Sequence, residues 1–235
     1  MKTIPTYITI IVIAALLAGC ETTSSVPQVS DDGLVRIKSK RAEVVYVQPG
    51  ASLDGYDKIM LAEPQISFRK NWKSDWNMDN PMRRVDDRYM IEAVATGQRL
   101  LLEEFERTLT KKGFTIVDQP GTGVLTVKPA IIDLDIFAPD VNNTAGMWGQ
   151  TYANGSGRAT LFLELFDSSS NQLLVRVMDT KDNENDGYTW RVQRNRATNI
   201  ADARSAFASW GTDLANGLIQ AQGVTFADLP VAGDN

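Results

Sequence analysis

Histidine is absent from the 235-residue chain, and cysteine occurs only once, as Cys20. Without histidine the chain can build neither a Ser-His-Asp triad nor a histidine general acid or base, and it lacks the usual ligand of zinc and iron sites. A single cysteine cannot form an internal disulfide. Catalysis or the binding of a hard cation would therefore depend on carboxylates. We expect no cofactor and no metal.

Positive charge is also scarce, because 24 Lys and Arg stand against 29 Asp and Glu and give a formal net charge of −5. A general nucleic-acid-binding protein shows a strong basic excess, so this balance argues against a nucleic-acid partner. Near the N-terminus an apolar run extends from Ile8 to Leu17. The run is too short for a membrane-spanning helix, which needs about 20 apolar residues. Its length is typical of the apolar region of a secretory signal.

The lone cysteine follows that run in the sequence Leu17-Ala18-Gly19-Cys20, which resembles the lipobox of bacterial lipoproteins. In such proteins the signal is removed before the cysteine, whose sulfur and new amino group become acylated. Two or more acyl chains anchor a protein stably, whereas one chain alone is marginal. The alternative is a plain secretory signal with an incidental cysteine. Glu21 favours the outer membrane, because in enterobacterial lipoproteins an Asp at this position favours retention in the inner membrane.

These features divide the chain into three predicted parts. Residues 1–19 form a lipoprotein signal peptide. Residues 20–42 comprise the acylated cysteine and a flexible tether, because this stretch is polar and lacks helical or strand periodicity. A coil of this length holds a domain roughly 25 Å from the membrane. Residues 43–235 form a single globular α/β domain that faces the periplasm.

The globular part shows strand and helix signals in a clear order. Residues 44–47 and 59–62 are predicted as strands, the second with an alternative end at Phe68. Residues 87–112 and 199–222 are predicted as amphipathic helices, and residues 115–180 as strands joined by short turns. The fold class is therefore α/β, as an α+β sandwich: a mixed, mostly antiparallel sheet of about five strands with two long helices packed on one face. The first helix carries a predicted apolar stripe, formed by Ile91, Val94, Leu101, Leu102, Phe105 and Leu109.

Two long loops, residues 138–157 and 181–199, combine aromatic and basic side chains. They are predicted to leave the same edge of the sheet, because the strands before them are parallel, whereas a third loop, residues 69–84, leaves the opposite edge. Aromatic faces beside guanidinium groups suit sugars, anionic polymers or lipid headgroups. The alternative is that the tryptophans cover the core and the arginines are solvated. The candidate binding residues are Trp148, Tyr152, Trp190, Arg191, Arg194 and Arg196.

Carboxylates in the predicted sheet form a second candidate site. Asp133 and Asp135 lie two residues apart in a strand, so they are expected to share a face, which Glu164 joins from a neighbouring strand. Such carboxylates suit acid–base chemistry or a hard cation. However, Arg158 and Arg176 are predicted on the same face, and cross-strand ion pairs explain the pattern more simply. No catalytic residue and no metal ligand is assigned.

Four stretches together resemble the DUF3313 family of bacterial lipoproteins: LDGYDKIMLAE, PGTGVLTVKPAIIDLD, GRATLFLELFDSSSNQLL and AFASWGTDLANGL. The resemblance covers most of residues 43–222. It implies an α/β domain and a location in the cell envelope. It implies no activity, no cofactor and no catalytic residue.

The sequence favours a non-enzymatic, lipid-anchored envelope protein, more at the outer than at the inner membrane, whose domain binds an envelope protein complex or polymer. Its expected partners are the membrane, through the acyl chains, and an envelope protein. The alternative is a hydrolase or transferase that uses carboxylates on an envelope glycan or lipid. A third hypothesis, a binder of small apolar or lipidic ligands, requires a deep apolar pocket between the sheet and the helices.

The lipobox predicts a clear phenotype for Cys20→Ala. The substitution removes the sulfur that accepts lipid, so the variant should lose incorporated palmitate and leave the membrane fraction. Metabolic labelling with palmitate, followed by fractionation of the cells, measures both effects against the unchanged chain. A variant that keeps its label and stays in the membrane would show that the cysteine is incidental.

Overall fold

A computed structural model describes residues 26–141, 151–153, 155–182 and 192–226. Within these ranges the chain forms strands β1 to β10 and helices α1 to α3. In chain order they are β1 (Val35–Ile37), β2 (Val44–Val47), β3 (Lys58–Leu61), β4 (Gln65–Phe68), α1 (Trp72–Asp79), α2 (Asp87–Lys111), β5 (Thr115–Ile116), β6 (Val124–Ile136), β7 (Thr151–Ala153), β8 (Gly157–Asp167), β9 (Leu173–Asp182), β10 (Val192–Arg194) and α3 (Arg196–Ala221).

The main sheet has eight strands in the spatial order β1-β2-β9-β8-β6-β3-β5, and β4 also pairs with β6. The long strands β6, β8 and β9 are antiparallel, whereas β3 and β4 run parallel to β6. Strands β7 and β10 form a separate antiparallel pair. The mixed, mostly antiparallel sheet is confirmed. It has more strands than the five predicted, because short segments such as β1, β4 and β5 extend its edges.

Helices α2 and α3 pack on one face of the sheet, as predicted. Each begins at a capping side chain: Asp86 accepts a hydrogen bond from the Tyr89 N–H at 2.8 Å, and Asn195 accepts one from the Thr198 N–H at 3.0 Å. Such caps satisfy backbone donors that have no partner within the helix. The core between helices and sheet includes Leu101, Phe105, Leu109, Leu161, Leu163, Leu165, Phe207, Trp210, Leu214 and Leu218.

The prediction that Ile91 belongs to the apolar stripe of α2 is wrong, because its side chain is 69% exposed. The buried residue Leu100 follows nine positions later in the helix. At about 100° per residue, this spacing places Ile91 on roughly the opposite side of the helix. The beginning of α2 therefore turns an apolar side chain to solvent.

Residues 26–42 are structured, although the sequence predicts a flexible tether across this stretch. Strand β1 pairs with β2, and the Tyr46 hydroxyl donates a hydrogen bond to the Pro27 carbonyl at 2.6 Å. Leu34 is buried against Val44 and Tyr46 on the face of the sheet opposite the helices. The apolar side chains on this outer face explain the difference, because they need a covering segment to exclude water. A tether can therefore comprise only the residues before this stretch.

Residues 69–84 contain helix α1, where the sequence predicts a loop. The segment follows β4, which runs parallel to β6, so it leaves the sheet at the same end as the chain that follows β6. The prediction that residues 69–84 leave the opposite edge from residues 138–157 is therefore wrong. Trp72 is buried, stacks with Tyr89, and donates a hydrogen bond from Nε1 to the Ile136 carbonyl at 3.3 Å. The helix thus closes this end of the sheet.

Helices α2 and α3 run in the same direction and touch at Gly211. A Cβ atom at this position would collide with Thr108 Oγ1 and lie 3.2 Å from Thr108 Cβ. Thr108 cannot easily turn away, because it is buried and its hydroxyl donates to the Glu104 carbonyl at 2.7 Å. The absence of a side chain at Gly211 therefore sets the distance between the two helices.

Gly211→Ala should destabilise the domain by about 1–3 kcal/mol, the range for inserting an extra methyl group into a packed interior. Gly217 lies in the same helix, and a Cβ atom there meets nothing within 4 Å, so it is a matched control. Gly217→Ala should be neutral or stabilising by up to about 1 kcal/mol, because alanine is the better helix former. Urea unfolding of both variants compares the effects, and equal changes would contradict the tight contact.

Candidate functional site

A cleft of about 630 Å³ lies between the N-terminal halves of α2 and α3 and the end of the sheet where β6 and β9 finish and β8 begins. Ligand pockets in proteins typically measure about 300–1,000 Å³. The cleft therefore has the size of a small-molecule site. Large apolar side chains form its floor, among them Leu100, Ile131, Leu134, Ile136, Phe207 and Trp210.

Small residues on the two helices keep the cleft open. Ala93 and Gly97 line it from α2, and Ala203 and Ala206 line it from α3. A Cβ atom at Gly97 would lie 2.8 Å from Ile66 Cδ1, so the helix could not approach this closely with a side chain there. The cleft was not predicted from the sequence. The signal that could have found it is this series of small residues on the inner faces of two helices.

The charged side chains that line the cleft are of mixed sign: Glu92, Asp140, Asp182 and Asp202 against Arg158, Lys181 and Arg196. Arg158 forms an ion pair with Asp182, and Lys181 lies 3.9 Å from Asp213. Four acidic and three basic groups leave little net charge to attract an ion of either sign. Apolar contact, rather than charge, is therefore the main interaction that the cleft offers.

Asn199 adds one polar group to the wall of the cleft. Its Nδ2 donates a hydrogen bond to the Ala138 carbonyl at 2.9 Å. Its buried Oδ1 has no hydrogen-bond partner among the described residues, and neither has the buried Nε of Arg194. A buried polar atom without a partner costs about 1–3 kcal/mol.

The structure places only some of the predicted binding residues. Arg194 is buried beside an ion-pair partner, Asp202, and Arg196 lines the cleft, where its backbone N–H donates to Asp140 Oδ2 at 3.2 Å. The backbone of Tyr152 forms part of β7, but its side chain is not described. Three predicted residues lie outside the described part of the chain: Trp148, Trp190 and Arg191.

Two of the three carboxylates of the alternative enzyme hypothesis, Asp135 and Glu164, are held in ion pairs. Arg176 pairs across the strands with Glu164 at 2.7 Å, as predicted, whereas Asp135 pairs with Arg69 at 2.8 Å rather than with Arg158. The prediction that Asp133 and Asp135 share a face is wrong. A register shift in β6 lies between Ile132 and Asp135, and the φ of 53° at Asp133 breaks the alternation of side chains.

Arg176 also joins the N-terminal segment to the outer face of the sheet. Its Nη2 lies 2.6 Å from Asp32 Oδ2. The hydrogen bond from Arg176 holds the pKa of the Asp32 carboxyl below its usual value. One guanidinium thus neutralises two carboxylates, Asp32 and Glu164, and neither is placed as a free acid or base.

The structure therefore defines a mixed α/β domain with an apolar cleft between two helices and a sheet. The chain belongs to the DUF3313 family, a family of proteins of unknown function, whose model matches residues 27–214. The match confirms the resemblance found in the sequence. No curated protein sequence matches the chain.

Several solved structures are similar in fold at low identity. A PelC dodecamer from Paraburkholderia phytofirmans is 14% identical, with 72% of this chain and 95% of that chain covered and a TM-score of 0.35. The protein XCC0632 from Xanthomonas campestris is 12% identical, with 73% and 86% covered and a TM-score of 0.38. A candidate lipoprotein from Caulobacter crescentus is 14% identical, with 71% and 90% covered and a TM-score of 0.34. Similarities this distant say nothing about function.

Two further properties hold for the described part of the chain. No three or more of its acidic side chains are grouped so that they could hold a metal ion. None of its helices has the length and apolar character needed to cross a membrane.

Glu104 joins the two helices that form the cleft. Its buried carboxylate lies 2.6 Å from Arg107 Nη2 and 2.8 Å from Arg204 Nη1. Burial acts to raise the pKa of the Glu104 carboxyl, but the hydrogen bonds from Arg107 and Arg204 outweigh it, so the pKa lies below its usual value. The charged carboxylate thus stabilises the folded state at neutral pH.

This arrangement predicts how stability depends on pH. Because the pKa of Glu104 is lower in the folded than in the unfolded state, its contribution is present above about pH 4.3 and is lost as the pH falls through the folded value. Glu104→Gln should reduce the free energy of unfolding at pH 7 by about 1–2 kcal/mol, a low value for a buried ion pair because both arginines are about half exposed.

Urea unfolding at pH 7 and at pH values below 4.3 measures both effects. The exposed Glu106, in the same helix, provides the matched control Glu106→Gln. If Glu104→Gln kept the full acid-dependent loss of stability, the ion pairs of Glu104 would not be its source.

Proposed function

We propose that the protein is a lipid-anchored protein of the cell envelope that binds a small apolar or lipidic ligand without converting it. The observation that carries this proposal is the cleft of about 630 Å³ between α2, α3 and the sheet, with its apolar floor. A binder of such ligands requires a pocket of this kind in this position. The size of the cleft favours a small ligand over the protein partner that the sequence also suggests.

The N-terminal sequence supports the anchored location. The lipobox-like stretch ending in Cys20 provides the site of acylation, and Glu21 favours the outer membrane. With acyl chains on Cys20, the domain that follows faces the periplasm. Membership of the DUF3313 family is consistent with this location but implies no activity.

The ion pairs argue for binding rather than catalysis. Catalytic carboxylates should line a cleft and have no arginine partner. Glu164 and Asp135 are instead paired with Arg176 and Arg69, and Glu164 lies on the face of β8 opposite the core. The chain also has no histidine to act as a general acid or base.

The shape and chemistry of the cleft indicate the class of ligand. Each methylene group transferred from water to the apolar floor contributes about 0.8 kcal/mol. A ligand with an acyl-like chain therefore matches the apolar floor of the cleft.

Filling the cleft should weaken ligand binding without unfolding the domain. Ala93→Phe and Ala203→Phe each place an aromatic ring in the cleft, so each should weaken binding of a fluorescent fatty acid about tenfold or more. Ala95 and Ala201 lie on the same helices but are exposed and do not line the cleft. The matched controls Ala95→Phe and Ala201→Phe should bind as the unchanged domain does.

Fluorescence titration measures the affinity of all five proteins, and circular dichroism with thermal unfolding checks that each is folded. Equal affinity of the cleft variants and their controls would place the ligand elsewhere. If the unchanged domain did not bind the fatty acid, while crosslinking in cells recovered one or two envelope proteins with the anchored form, an adaptor function would replace this proposal.

A further inference from the structure

The three most exposed large apolar side chains of the described residues, Met82, Met78 and Ile91, lie at the end of the sheet where β6 and β9 finish, which we name the cleft end. We propose that the cleft end rests on the lipid bilayer that holds the anchor, with Met78 and Met82 at the contact. The inference rests on the lipid anchoring of the proposed function. It adds a surface through which the cleft would receive its ligand directly from the bilayer.

Strand directions place helix α1 and the start of α2 at the cleft end. Strand β4 runs parallel to β6, so α1, which follows β4, lies beyond the last residues of β6. Trp72 of α1 donates a hydrogen bond from Nε1 to the carbonyl of Ile136, the last residue of β6, at 3.3 Å. Tyr89, in the first turn of α2, stacks with Trp72 and lines the cleft. The surface formed by residues 72–91 therefore borders the cleft.

Apolar exposure is strongest on this surface. Met82 is 88% exposed and Met78 is 75% exposed. Ile91 is also exposed, and Ala93, two positions further along α2, lines the cleft. The opposite end of the sheet presents the polar turn between β8 and β9, residues 168–171. Exposed apolar side chains grouped in this way mark a surface that binds a partner, a ligand or a membrane.

The length of the chain before the domain favours the membrane. Five residues separate Cys20 from Val26, so their two Cα atoms lie at most about 20 Å apart. Val29 pairs with Val35, and the register through β1 and β2 places Val26 about level with Met178 of β9. Met178 lies roughly 13 Å before the end of β9. An acylated Cys20 therefore holds the domain close to the bilayer and can reach a bilayer that touches the cleft end.

Charge does not provide this contact. Residues 69–92 contain six basic and five acidic side chains, so the net charge of the surface is small. Three ion pairs neutralise most of these groups: Arg69 with Asp75, Lys73 with Asp87, and Arg88 with Glu92. The remaining charged side chains are again of both signs. Apolar contact therefore has to provide the binding, and anionic lipid is not required.

The two methionines suit a contact with acyl chains. The methionine side chain is unbranched and flexible, so it fits irregular apolar surroundings. An acyl chain that crosses water exposes apolar area, which costs free energy in proportion to that area. A bilayer in contact with the cleft end reduces this cost, because a lipidic ligand then moves from one apolar environment to the next.

Photocrosslinking from defined positions tests the contact. The mature chain is coupled through its single cysteine, Cys20, to phosphatidylcholine vesicles that contain a maleimide lipid. Photoreactive benzoylphenylalanine replaces Met78 or Met82 at the cleft end, or Ile219 or Ser170 as matched exposed positions at the opposite end. After irradiation the first two positions should give lipid adducts in mass spectrometry, and added salt, which screens charges only, should not reduce them. The two control positions should give no more adducts than protein that is not coupled.

Each other outcome overturns the inference. Equal lipid adducts at both ends, adducts at the opposite end only, or none at any of the four positions would show that the cleft end does not rest on the bilayer. Adducts that disappear with salt would contradict an apolar contact. Fatty-acid titration of the same proteins without vesicles tests the cleft separately. A domain that forms lipid adducts at the cleft end but binds no fatty acid would contradict the proposed function alone.

Discussion

Two helices can approach one another only as closely as the side chains between them allow, and at Gly211 there is no side chain. The contact with Thr108 fixes α2 and α3 at this level, and Glu104 with its two arginines holds them there. The packing of the core beneath and the width of the cleft between their N-terminal halves depend on that fixed point. A larger residue at Gly211 would therefore alter the core and the cleft together.

The sequence predicts those parts of the fold that depend on local periodicity. Alternation in residues 159–165 and the helical stripe ending at Leu109 identify the main sheet and the helices, because burial of one face imposes these periods directly. Residues 26–42 escape prediction because they are polar, and Leu34 becomes buried only through contact with Val44 and Tyr46. The bulge at Asp133 likewise leaves no periodic signal in the sequence.

The candidate site was harder to predict than the fold. Aromatic and basic residues led to the prediction of a binding site in the loops, and one of the predicted residues, Arg196, does line the cleft. The cleft itself arises from small residues, such as Ala93 and Ala203, on helices that lie far apart in the chain. A missing side chain has no chemical signature, and its effect appears only when the two helices are placed side by side.

The structured N-terminal segment has a consequence for where the protein can act. With the proposed acyl chains on Cys20, only five residues would separate the anchor from Val26, the first residue that the structure describes. A protein held in this way could not bridge two membranes or search the space between them, so its ligand would have to arrive at the surface of the membrane that holds it. The length of the linker, more than the affinity of the cleft, would then decide which ligand molecules the protein meets.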